Sequence, residues 1–286
     1  MDDIVMPTTI TVMGAGGKMG CRIVDQLGGV SSYNLRCVEP STEGHERLSE
    51  RGLSPMSQDE ALPGADVVIL AVPDTVISDL TEEIVPHLDA GTVIFLLDPA
   101  AAHAGVLHER DDVTYFISHP CHPQLFATET DREAQADLFG GRGLAEQNIV
   151  CALEQGPESD YDVGESIARD IYAPVDEAHR LTTEQMAILE PALGETLTAT
   201  CLTIIREGLD TAVEMGVPEA AARDFVLGHL RIESAILFDE VEYPLSDGAQ
   251  QIVREAKDDI FREDWDTIFE PAYVEASTAS ITDKES

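Results

Sequence analysis

Two histidines three positions apart carry the strongest chemical signal in this sequence. His119 and His122 lie in the stretch SHPCHP at 118–123, directly after the apolar run VTYFI at 113–117. A histidine at the end of a buried strand can take the proton of an alcohol while the hydride on the same carbon leaves to a nicotinamide. We therefore predict that His119 is catalytic and that His122 binds the substrate. The alternative is that either ring only orders the loop.

Cys121 lies between these histidines, so a His-Cys-His metal site is a second alternative. Zinc is commonly held by four ligands, and no group of residues elsewhere in the sequence stands out as the source of the fourth. We therefore predict no metal site. The five cysteines are odd in number and widely spaced, which favours reduced thiols over a disulfide framework.

A second group of candidate residues lies in the C-terminal part of the chain. Glu190 and Glu195 flank Pro191 in a stretch of helical periodicity, TEQMAILEPALGET at 183–196. Two acids five positions apart lie on different faces of a regular helix, but a proline kink would turn both toward one cleft. We predict that Glu190 is catalytic and that Glu195 binds the substrate. The alternative is that both are exposed helix acids.

His229 is a third candidate catalytic residue. It lies four residues before Glu233 in LGHLRIESAILF at 227–238, so both side chains occupy one helical face. The alternative is a histidine in the core or at a subunit interface.

Four glycines in seven residues, GAGGKMG at 14–20, predict a cofactor site after the strand-like run ITVM. The pattern G-x-G-x-x-G would need glycine at position 19, where methionine stands, whereas a three-residue spacing fits throughout. In either register, the backbone approaches a pyrophosphate and helix N–H groups receive its charge. The residues predicted to bind a dinucleotide are Gly14, Gly17, Lys18, Met19 and Gly20.

The dinucleotide is predicted to be NAD. Glu39 ends the second strand, 25 residues after Gly14, where a carboxylate binds the ribose 2′-hydroxyl and repels a 2′-phosphate. NADP is therefore the less favoured cofactor, although Arg36 and Arg47 lie nearby in the sequence. Val72 and Pro73, in AVPD after a third apolar strand, are also predicted to contact the cofactor.

The first third of the chain alternates strand-like and helix-like segments. Apolar runs such as ADVVILAVP and TVIFLLDP, separated by helices, indicate a parallel sheet covered on both faces. We expect an α/β fold, a Rossmann doubly wound parallel sheet followed by an all-helical C-terminal domain. The NAD-binding domain is placed at 1–180 and a helical substrate and dimerisation domain at 181–286. Helical periodicity runs from 183 to 216, interrupted only at Pro191, and the C-terminal tail is expected to fray.

The charge of the chain is unusually negative. It carries 55 acidic residues against 17 basic ones, a formal net charge of −38 and a pI near 4.2. Such a chain repels nucleic acid and anionic lipid, so we expect neither nucleic acid nor a membrane as a partner. Dispersed acid with three lysines suits a cytosol of molar salt, where the screening length falls to about 3 Å. The acidic start MDD argues against a signal peptide, so we expect a cytoplasmic protein.

Several motifs together resemble a known family. GAGGKMG with AVPD, then SHPCHP, then EAHRLTTEQMAILEPALGETL at 177–197 resemble the superfamily of 6-phosphogluconate, 3-hydroxyacid and prephenate dehydrogenases. DPAAAHAG, HPCHP, ILEPALGET and the pair at 228–229 are similar to the D-apionate oxidoisomerase group, whose second domain is of the phosphogluconate dehydrogenase type. The likeness covers nearly the whole chain, and the glycine turn and HPCHP are its most specific parts.

The resemblance implies NAD-linked oxidation of a small polyhydroxy acid, a sugar acid, followed by a carbon shift. It places the catalytic histidine of prephenate dehydrogenase at His119. The metal-binding glutamates of ketol-acid reductoisomerase, a related rearranging enzyme, fall on Val226 and Leu230. The rearrangement is therefore expected to run on acid–base groups such as Glu190 and His229. We expect a homodimer formed through the helical domain; the alternatives are a prephenate-type dehydrogenase and a dinucleotide-binding redox sensor without catalytic activity.

Overall fold

The computed structural model describes residues 7–284, which divide into two compact units. Unit 1 holds the described residues up to Ile188 and the segment from Glu275 onward, and unit 2 is Leu189–Val274. The predicted boundary between 180 and 181 lies inside unit 1 by this division. Residues 1–6, which enter the expectation of a cytoplasmic protein, lie outside the described part of the chain.

Unit 1 is built on a seven-stranded sheet. Its strands are β1 Thr8–Met13, β2 Tyr33–Val38, β3 Val67–Leu70, β4 Val93–Leu96, β5 Thr114–Pro120, β6 Gln147–Gln155 and β7 Val175–Arg180. They lie in the order β2-β1-β3-β4-β5-β6-β7. Because β1 lies between β2 and β3, the chain direction across the sheet switches at β1, and ligands of such sheets bind at the carboxyl ends of strands beside that point.

The strands are parallel from β2 to β5, which confirms the Rossmann prediction. Strand β6 departs from it, since it runs antiparallel to β5, and β7 is parallel to β6. A parallel neighbour needs a crossover connection, usually through a helix of several turns. The connection at 121–146 carries a four-residue helix, so β6 starts at the edge of the sheet where β5 ends.

The central strands are buried on both faces, as their continuous apolar sequences predict. Every residue of β3 (VVIL) and β4 (VIFL) is buried. Val68 and Leu70 belong to one apolar layer, and Val67 and Ile69 belong to the layer on the other face. This alternation is the two-residue period of a strand, and it places the core above and below the sheet.

Residues 7–284 form twelve α-helices, distributed over the two units. They are α1 Lys18–Leu27, α2 Thr42–Glu50, α3 Gln58–Ala61, α4 Asp74–Ile84, α5 Ala100–His103, α6 Arg132–Gln135, α7 Ser159–Ile171, α8 Thr183–Ala187, α9 Thr200–Glu214, α10 Glu219–Leu237, α11 Asp247–Ile260 and α12 Pro271–Thr282. Two 3-10 turns, Val85–His87 and Trp265–Phe269, and a π-helical segment, Ile188–Ala199, complete the described elements.

Helix α8 extends unit 1 beyond residue 180, because its Met186 is buried in one of the two apolar layers of the sheet. The C-terminal part of α12 also belongs to unit 1. Thr278 is fully buried, and its hydroxyl lies 3.0 Å from Nδ1 of His103 at the end of α5. The expectation of a frayed tail was therefore wrong for the described residues up to Thr282.

Unit 2 is helical, as predicted. The continuous helix expected from Thr183 is instead divided into α8, the π-helical segment and α9. Pro191 lies inside the π-helical segment. Proline has no backbone N–H and cannot continue the α-helical ladder, and π-type turns occur where that ladder is interrupted.

The run Thr183–Glu214 is long and apolar enough to cross a membrane, judged by length and composition alone. One such helix is weak evidence, since core helices of soluble proteins have the same composition. In the 18-residue apolar stretch of this run 11% of the residues are buried, and α9 has no buried residue. Large apolar side chains of unit 2 are therefore exposed in the single chain.

Candidate active site

The glycine turn joins β1 to α1, as predicted. Gly14 has φ +74°, a left-handed conformation that side chains rarely adopt, and a Cβ there would lie 2.4 Å from the carbonyl oxygen of Ala71. A Cβ at Gly20 would lie 2.1 Å from the carbonyl oxygen of Gly14. Gly17 is the residue that caps the start of α1. The turn therefore has no space for side chains at 14 and 20.

Gly16 is required as well, for a contact that links two turns. A Cβ at Gly16 would lie 2.5 Å from Cα of Gly44, in the first turn of α2. Glycine is therefore needed at position 16 as well as at positions of the three-residue spacing. Position 19, where G-x-G-x-x-G would need a third glycine, holds Met19, whose side chain packs against the core. The first N–H groups of α1 have no acceptor within the helix, and such groups bind phosphates.

Glu39 lies at the end of β2 and points its carboxylate at the glycine turn. Oε2 accepts a hydrogen bond from the backbone N–H of Gly16 at 2.9 Å, and Oε1 accepts from the backbone N–H and hydroxyl of Ser41 at 2.9 and 2.6 Å. Burial works to raise the pKa of Glu39. The hydrogen bonds from Ser41 and Gly16 and the charge of Arg47 oppose it and lower the pKa below its ordinary value, so the group stays ionised.

The two arginines near Glu39 in the sequence are held by backbone carbonyls. Arg36 Nη1 donates to the carbonyls of Ala61 and Pro63 at 2.9 and 2.6 Å. Arg47 Nε donates to the carbonyl of Gly16. Because both guanidinium groups are already hydrogen-bonded to the backbone, Glu39 is favoured as the residue that binds the ribose.

A groove of about 460 Å³ opens at the carboxyl ends of β1, β2 and β3. Gly14, Glu39 and Val72 line it, as the cofactor prediction requires, whereas Pro73 caps α4. The groove also has apolar walls that the sequence did not predict, formed by Met56, Val76 and Leu80. A groove with these apolar walls and with Glu39 in its lining fits the adenosine half of a dinucleotide.

His119 is the penultimate residue of β5 and is half-buried. Its Nδ1 lies 3.0 Å from the carbonyl oxygen of Pro120, so Nδ1 carries the proton and Nε2 is the accepting nitrogen. Burial, followed by the charge of His122, lowers the pKa of His119 to about 4, although the hydrogen bond to Pro120 works to raise it. The imidazole is therefore neutral near pH 7 and able to accept a proton.

His122 follows in the loop after β5 with φ +61°, an uncommon conformation for a residue other than glycine. Its ring is perpendicular to that of His119, with the ring centroids 6.1 Å apart. Nδ1 of His122 donates to the carbonyl oxygen of Phe139 at 3.3 Å. The structure therefore brings the two predicted histidines together.

Asp98 is a site residue that the sequence analysis did not select. It follows β4, and one of its carboxylate oxygens lies within 4.8 Å of a ring nitrogen of His119. Oδ1 of Asp98 accepts from the backbone N–H of Ala100 at 2.7 Å, which fixes the carboxylate at the start of α5. The available signal was its position, since β4 and β5 are adjacent and their carboxyl ends meet at one edge of the sheet.

Glu190 and Glu195 lie in unit 2, both on the π-helical segment. Glu190 is half-buried and Glu195 is exposed. Removal of water from part of the Glu195 carboxyl group, followed by the charge of Glu190, raises the pKa of Glu195. The two acids are therefore close enough to repel each other, as the predicted interruption at Pro191 would allow.

His229 also lies in unit 2, on α10, and is exposed. Its Nδ1 donates to the carbonyl oxygen of Phe225 at 2.8 Å, and its ring stacks on the Phe225 ring with the centroids 3.9 Å apart. Glu233, one turn later on α10, is exposed as well. A catalytic role for His229 stays a prediction.

Known proteins match this chain over nearly its whole length. Residues 127–282 match the family of phosphogluconate dehydrogenase (decarboxylating) C-terminal domains, and residues 8–134 match the NADPH-binding domain of acetohydroxy acid isomeroreductase. A D-apionate oxidoisomerase of Rhizobium rhizogenes is 49% identical over 276 residues, 96% of this chain and 100% of the relative. The chain belongs to the D-apionate oxidoisomerase family. A second D-apionate oxidoisomerase, of Cupriavidus necator, is 47% identical and covers 97% of this chain and 100% of the relative.

Among solved structures, a semialdehyde dehydrogenase NAD-binding protein from Cupriavidus necator, in complex with calcium and NAD, is 46% identical with a TM-score of 0.94. The match covers 97% of this chain and 100% of that one. This member of the D-apionate oxidoisomerase family is therefore an oxidoreductase with an NAD-binding Rossmann fold and a helical C-terminal domain, as predicted. The roles of individual site residues stay predictions.

Proposed function

We propose that this chain oxidises a small polyhydroxy acid, D-apionate or a close relative, with NAD as its cofactor and with a coupled carbon shift. The observation that carries the proposal is His119, a neutral imidazole whose accepting nitrogen is defined by its hydrogen bond to Pro120. It lies next to the carboxyl end of β5, in the same sheet that carries the glycine turn. Curated relatives at 49% and 47% identity supply the substrate class.

In the first step, Nε2 of His119 takes the proton of the substrate's C2 hydroxyl. The hydride on the same carbon would pass to NAD held at the glycine turn, and a 2-oxo acid would remain. The carboxylate of Asp98, within 4.8 Å of the ring, then stabilises the positive imidazolium electrostatically. Glu39 and the glycine turn hold the cofactor by its ribose and phosphates.

The second step moves a carbon substituent and consumes no oxidant. The tertiary alcohol at C3 loses its proton, and the C3–O bond becomes a carbonyl. One substituent leaves C3 with its bonding electrons and forms a bond to C2, whose oxygen takes up a proton. Glu190 is proposed as an acid–base group for these transfers, Glu195 and His122 as substrate-binding groups, and His229 as a further catalytic residue.

Assays of NADH formation from D-apionate and a panel of C4–C6 sugar acids, with the products identified by NMR, test this function. We expect NADH together with a rearranged 3-oxo branched acid. An unrearranged 2-oxo acid would reduce the function to a plain dehydrogenase. Turnover of prephenate would favour the prephenate-type alternative, and absence of NADH with every alcohol would favour the redox sensor.

The role of His119 is tested by His119→Ala, with His87→Ala as its control. His87 is an exposed histidine at the end of a 3-10 turn and is not among the residues that line the groove. Loss of a general base costs about 10²-fold or more in turnover, so we expect that loss for His119→Ala with NAD affinity retained. Full activity of this variant would exclude the assignment.

We also propose a homodimer formed through unit 2. Helices α9 and α10 expose large apolar side chains that a soluble single chain would not leave in water, among them Leu202, Ile204, Phe225, Leu227 and Ile232. Where exposed apolar side chains form a patch, they mark protein or membrane interfaces. The net charge of −38 disfavours an anionic membrane. Repulsion between two copies is screened in high salt, so a second copy is the proposed partner.

The same charge supports a cytoplasm of high salt as the working environment. The chain has 55 acidic groups and only 17 basic ones, so repulsion among the acidic groups opposes the compact state. Salt screens this repulsion. Assays are therefore best made in molar KCl. A melting temperature that does not rise with KCl would contradict this part of the proposal.

A further inference from the structure

One face of α1 runs along a turn that is more than a hundred residues away in the sequence. Lys18 and Arg22 are four residues apart and therefore lie on the same face. Nζ of Lys18 lies 4.7 Å from the centroid of the Phe139 ring. Nη1 and Nη2 of Arg22 donate to the carbonyl oxygens of Phe139 and Gly140 at 3.3 and 2.7 Å.

The contact continues one turn further along α1. Gln26 follows Arg22 by four residues, and a Cβ at Gly143 would lie 2.7 Å from its amide nitrogen. Gly143 has φ +69° and Gly140 has φ +59°. Three successive turns of α1 therefore lie against residues 139–143.

These residues belong to a turn at 137–144 that is organised by one carboxylate. Asp137 is buried, and its oxygens accept hydrogen bonds from the backbone N–H groups of Gly141, Arg142 and Leu144 at 3.0 to 3.3 Å. We call residues 137–144 the Asp137 turn. The carboxylate of Asp137 holds the turn through its own backbone N–H groups, and Arg22 on α1 holds two of its backbone carbonyls.

The opposite side of the Asp137 turn holds His122. The carbonyl oxygen of Phe139 accepts from Arg22 Nη1 and also from His122 Nδ1, each at 3.3 Å. The Phe139 ring is perpendicular to the His122 ring, with the centroids 5.9 Å apart. One backbone carbonyl thus connects the helix of the glycine turn with the histidine that packs on His119.

The burial of Arg22 at this position costs folding free energy. It is 9% exposed, its guanidinium lies over the Tyr172 ring at 5.1 Å, and its Nε has no hydrogen-bond partner among the described residues. Burial lowers the pKa of Arg22, against the effects of Tyr172 and Asp137. Burying a guanidinium without a full set of partners costs free energy, so its contacts are better explained by geometry than by stability.

We propose that Arg22 is a positioning residue that holds the Asp137 turn and thereby seats His122 against His119. The helix that receives the dinucleotide phosphates then also fixes the histidine pair. This inference rests on the proposed catalytic role of His119 and adds a residue that does not itself touch the reacting atoms.

The variants are Arg22→Gln and Asp137→Asn. The first weakens the hydrogen bonds from α1 to the turn, and the second weakens the hydrogen bonds within the turn. Arg110→Gln is the matched control, because Arg110 also donates to two carbonyls, those of Val85 and Leu88 at 2.6 and 2.8 Å, next to a turn remote from the histidines. Each variant is also made in a His122→Ala background.

Small misplacements of catalytic groups cost rate rather than binding. We expect Arg22→Gln and Asp137→Asn to lower kcat about tenfold and to change KM for NAD less than about twofold. In the His122→Ala background, the further loss should fall below about twofold, because residues that act through one another are not additive. Arg110→Gln should leave kcat unchanged. A tenfold loss that persists without His122 would overturn the inference.

A second readout does not depend on turnover. Histidine ring signals in ¹⁵N NMR should shift for His119 and His122 in Arg22→Gln and Asp137→Asn and stay in place in Arg110→Gln. Unchanged ring signals would overturn the inference even if activity falls. If Arg22→Gln does not fold, Asp137→Asn decides.

Failure of the proposed function would be visible in the unaltered protein as absence of NADH from every sugar acid. The ring signals would then test the positioning role alone.

Discussion

The carboxylate of Glu39 accepts a hydrogen bond from the backbone N–H of Gly16 at 2.9 Å. This contact joins the end of β2 to the glycine turn, so that the residue proposed to bind the ribose and the turn proposed to bind the phosphates share one local geometry. A Cβ at Gly44 would lie 2.3 Å from Cδ of Glu39, so α2 also restricts where the carboxylate can lie. The carboxylate that we propose selects the cofactor is therefore held in place by the protein itself.

Substitution of Glu39 tests this selection. Glu39→Gln keeps the size and an accepting oxygen but removes the negative charge that repels a 2′-phosphate. We expect the ratio of kcat/KM for NAD to that for NADP to fall about tenfold or more, since charge-assisted hydrogen bonds are about twice as strong as neutral ones. Glu43→Gln, an exposed acid in the first turn of α2, is the control. An unchanged ratio for Glu39→Gln would mean that another residue reads the ribose.

Two glycines with similar backbone angles separate strain from crowding in the glycine turn. Gly14 has φ +74° and a Cβ there would meet the Ala71 carbonyl, whereas Gly91 has φ +84° with nothing within 4 Å. Alanine at either position costs about 1 kcal/mol of stability from its backbone angle. We expect calorimetry to show abolished NAD binding for Gly14→Ala alone, with Gly91→Ala binding NAD normally. Equal loss of binding in both variants would assign the effect to strain.

The glycine turn and the carboxylate after β2 could be predicted from the sequence, because each is specified by residues close together in the chain. Gly14, Gly20 and Glu39 are recognisable from residue type and spacing, since the backbone path of a phosphate turn leaves few alternatives. His119 is recognisable for the same reason, because the end of a buried strand is a fixed place in an open sheet. These features need no knowledge of distant contacts.

The parts that the sequence did not predict depend on contacts between distant residues or lack a pattern. Strand β7, VDEAHR, is a polar edge strand without an apolar run. The end of α12 is held by Thr278 on His103, 175 positions away. The bond from Arg22 to Gly140 spans 118 positions. No local spacing signals such a contact, because the partners meet only once the sheet has formed.

The pH dependence of turnover tests the environment of His119. Its pKa is lowered to about 4, so the ring loses its proton at that pH and is a competent base above it. We therefore expect kcat/KM to show no loss from this group between about pH 5.5 and 7.5, where an ordinary histidine with pKa about 6.5 would titrate.

His122→Ala removes a charge that disfavours protonation of His119, so the pKa of His119 should rise and the acid limb should move to higher pH. The measurement is a pH profile of kcat/KM together with ¹⁵N titration of the assigned ring. An acid limb near 6.5 in the unaltered protein, traced to His119 by the titration, would contradict the structure.

The exposed apolar face of unit 2 gives the prediction of a dimer. Light scattering in molar KCl should give about twice the chain mass of 31.0 kDa. Ile204→Asp and Ile232→Asp, on α9 and α10, place a charge on side chains that are 43% and 40% exposed in the single chain. If a second copy covers them, each charge would be buried without a partner and the dimer should dissociate.

Val163→Asp on α7 of unit 1 is the matched control, since Val163 is 43% exposed and lies outside unit 2. It should leave the mass unchanged. A monomeric unaltered protein, or one that is extracted only with detergent, would exclude the dimer. Persistence of the dimer in both isoleucine variants would move the interface to another surface.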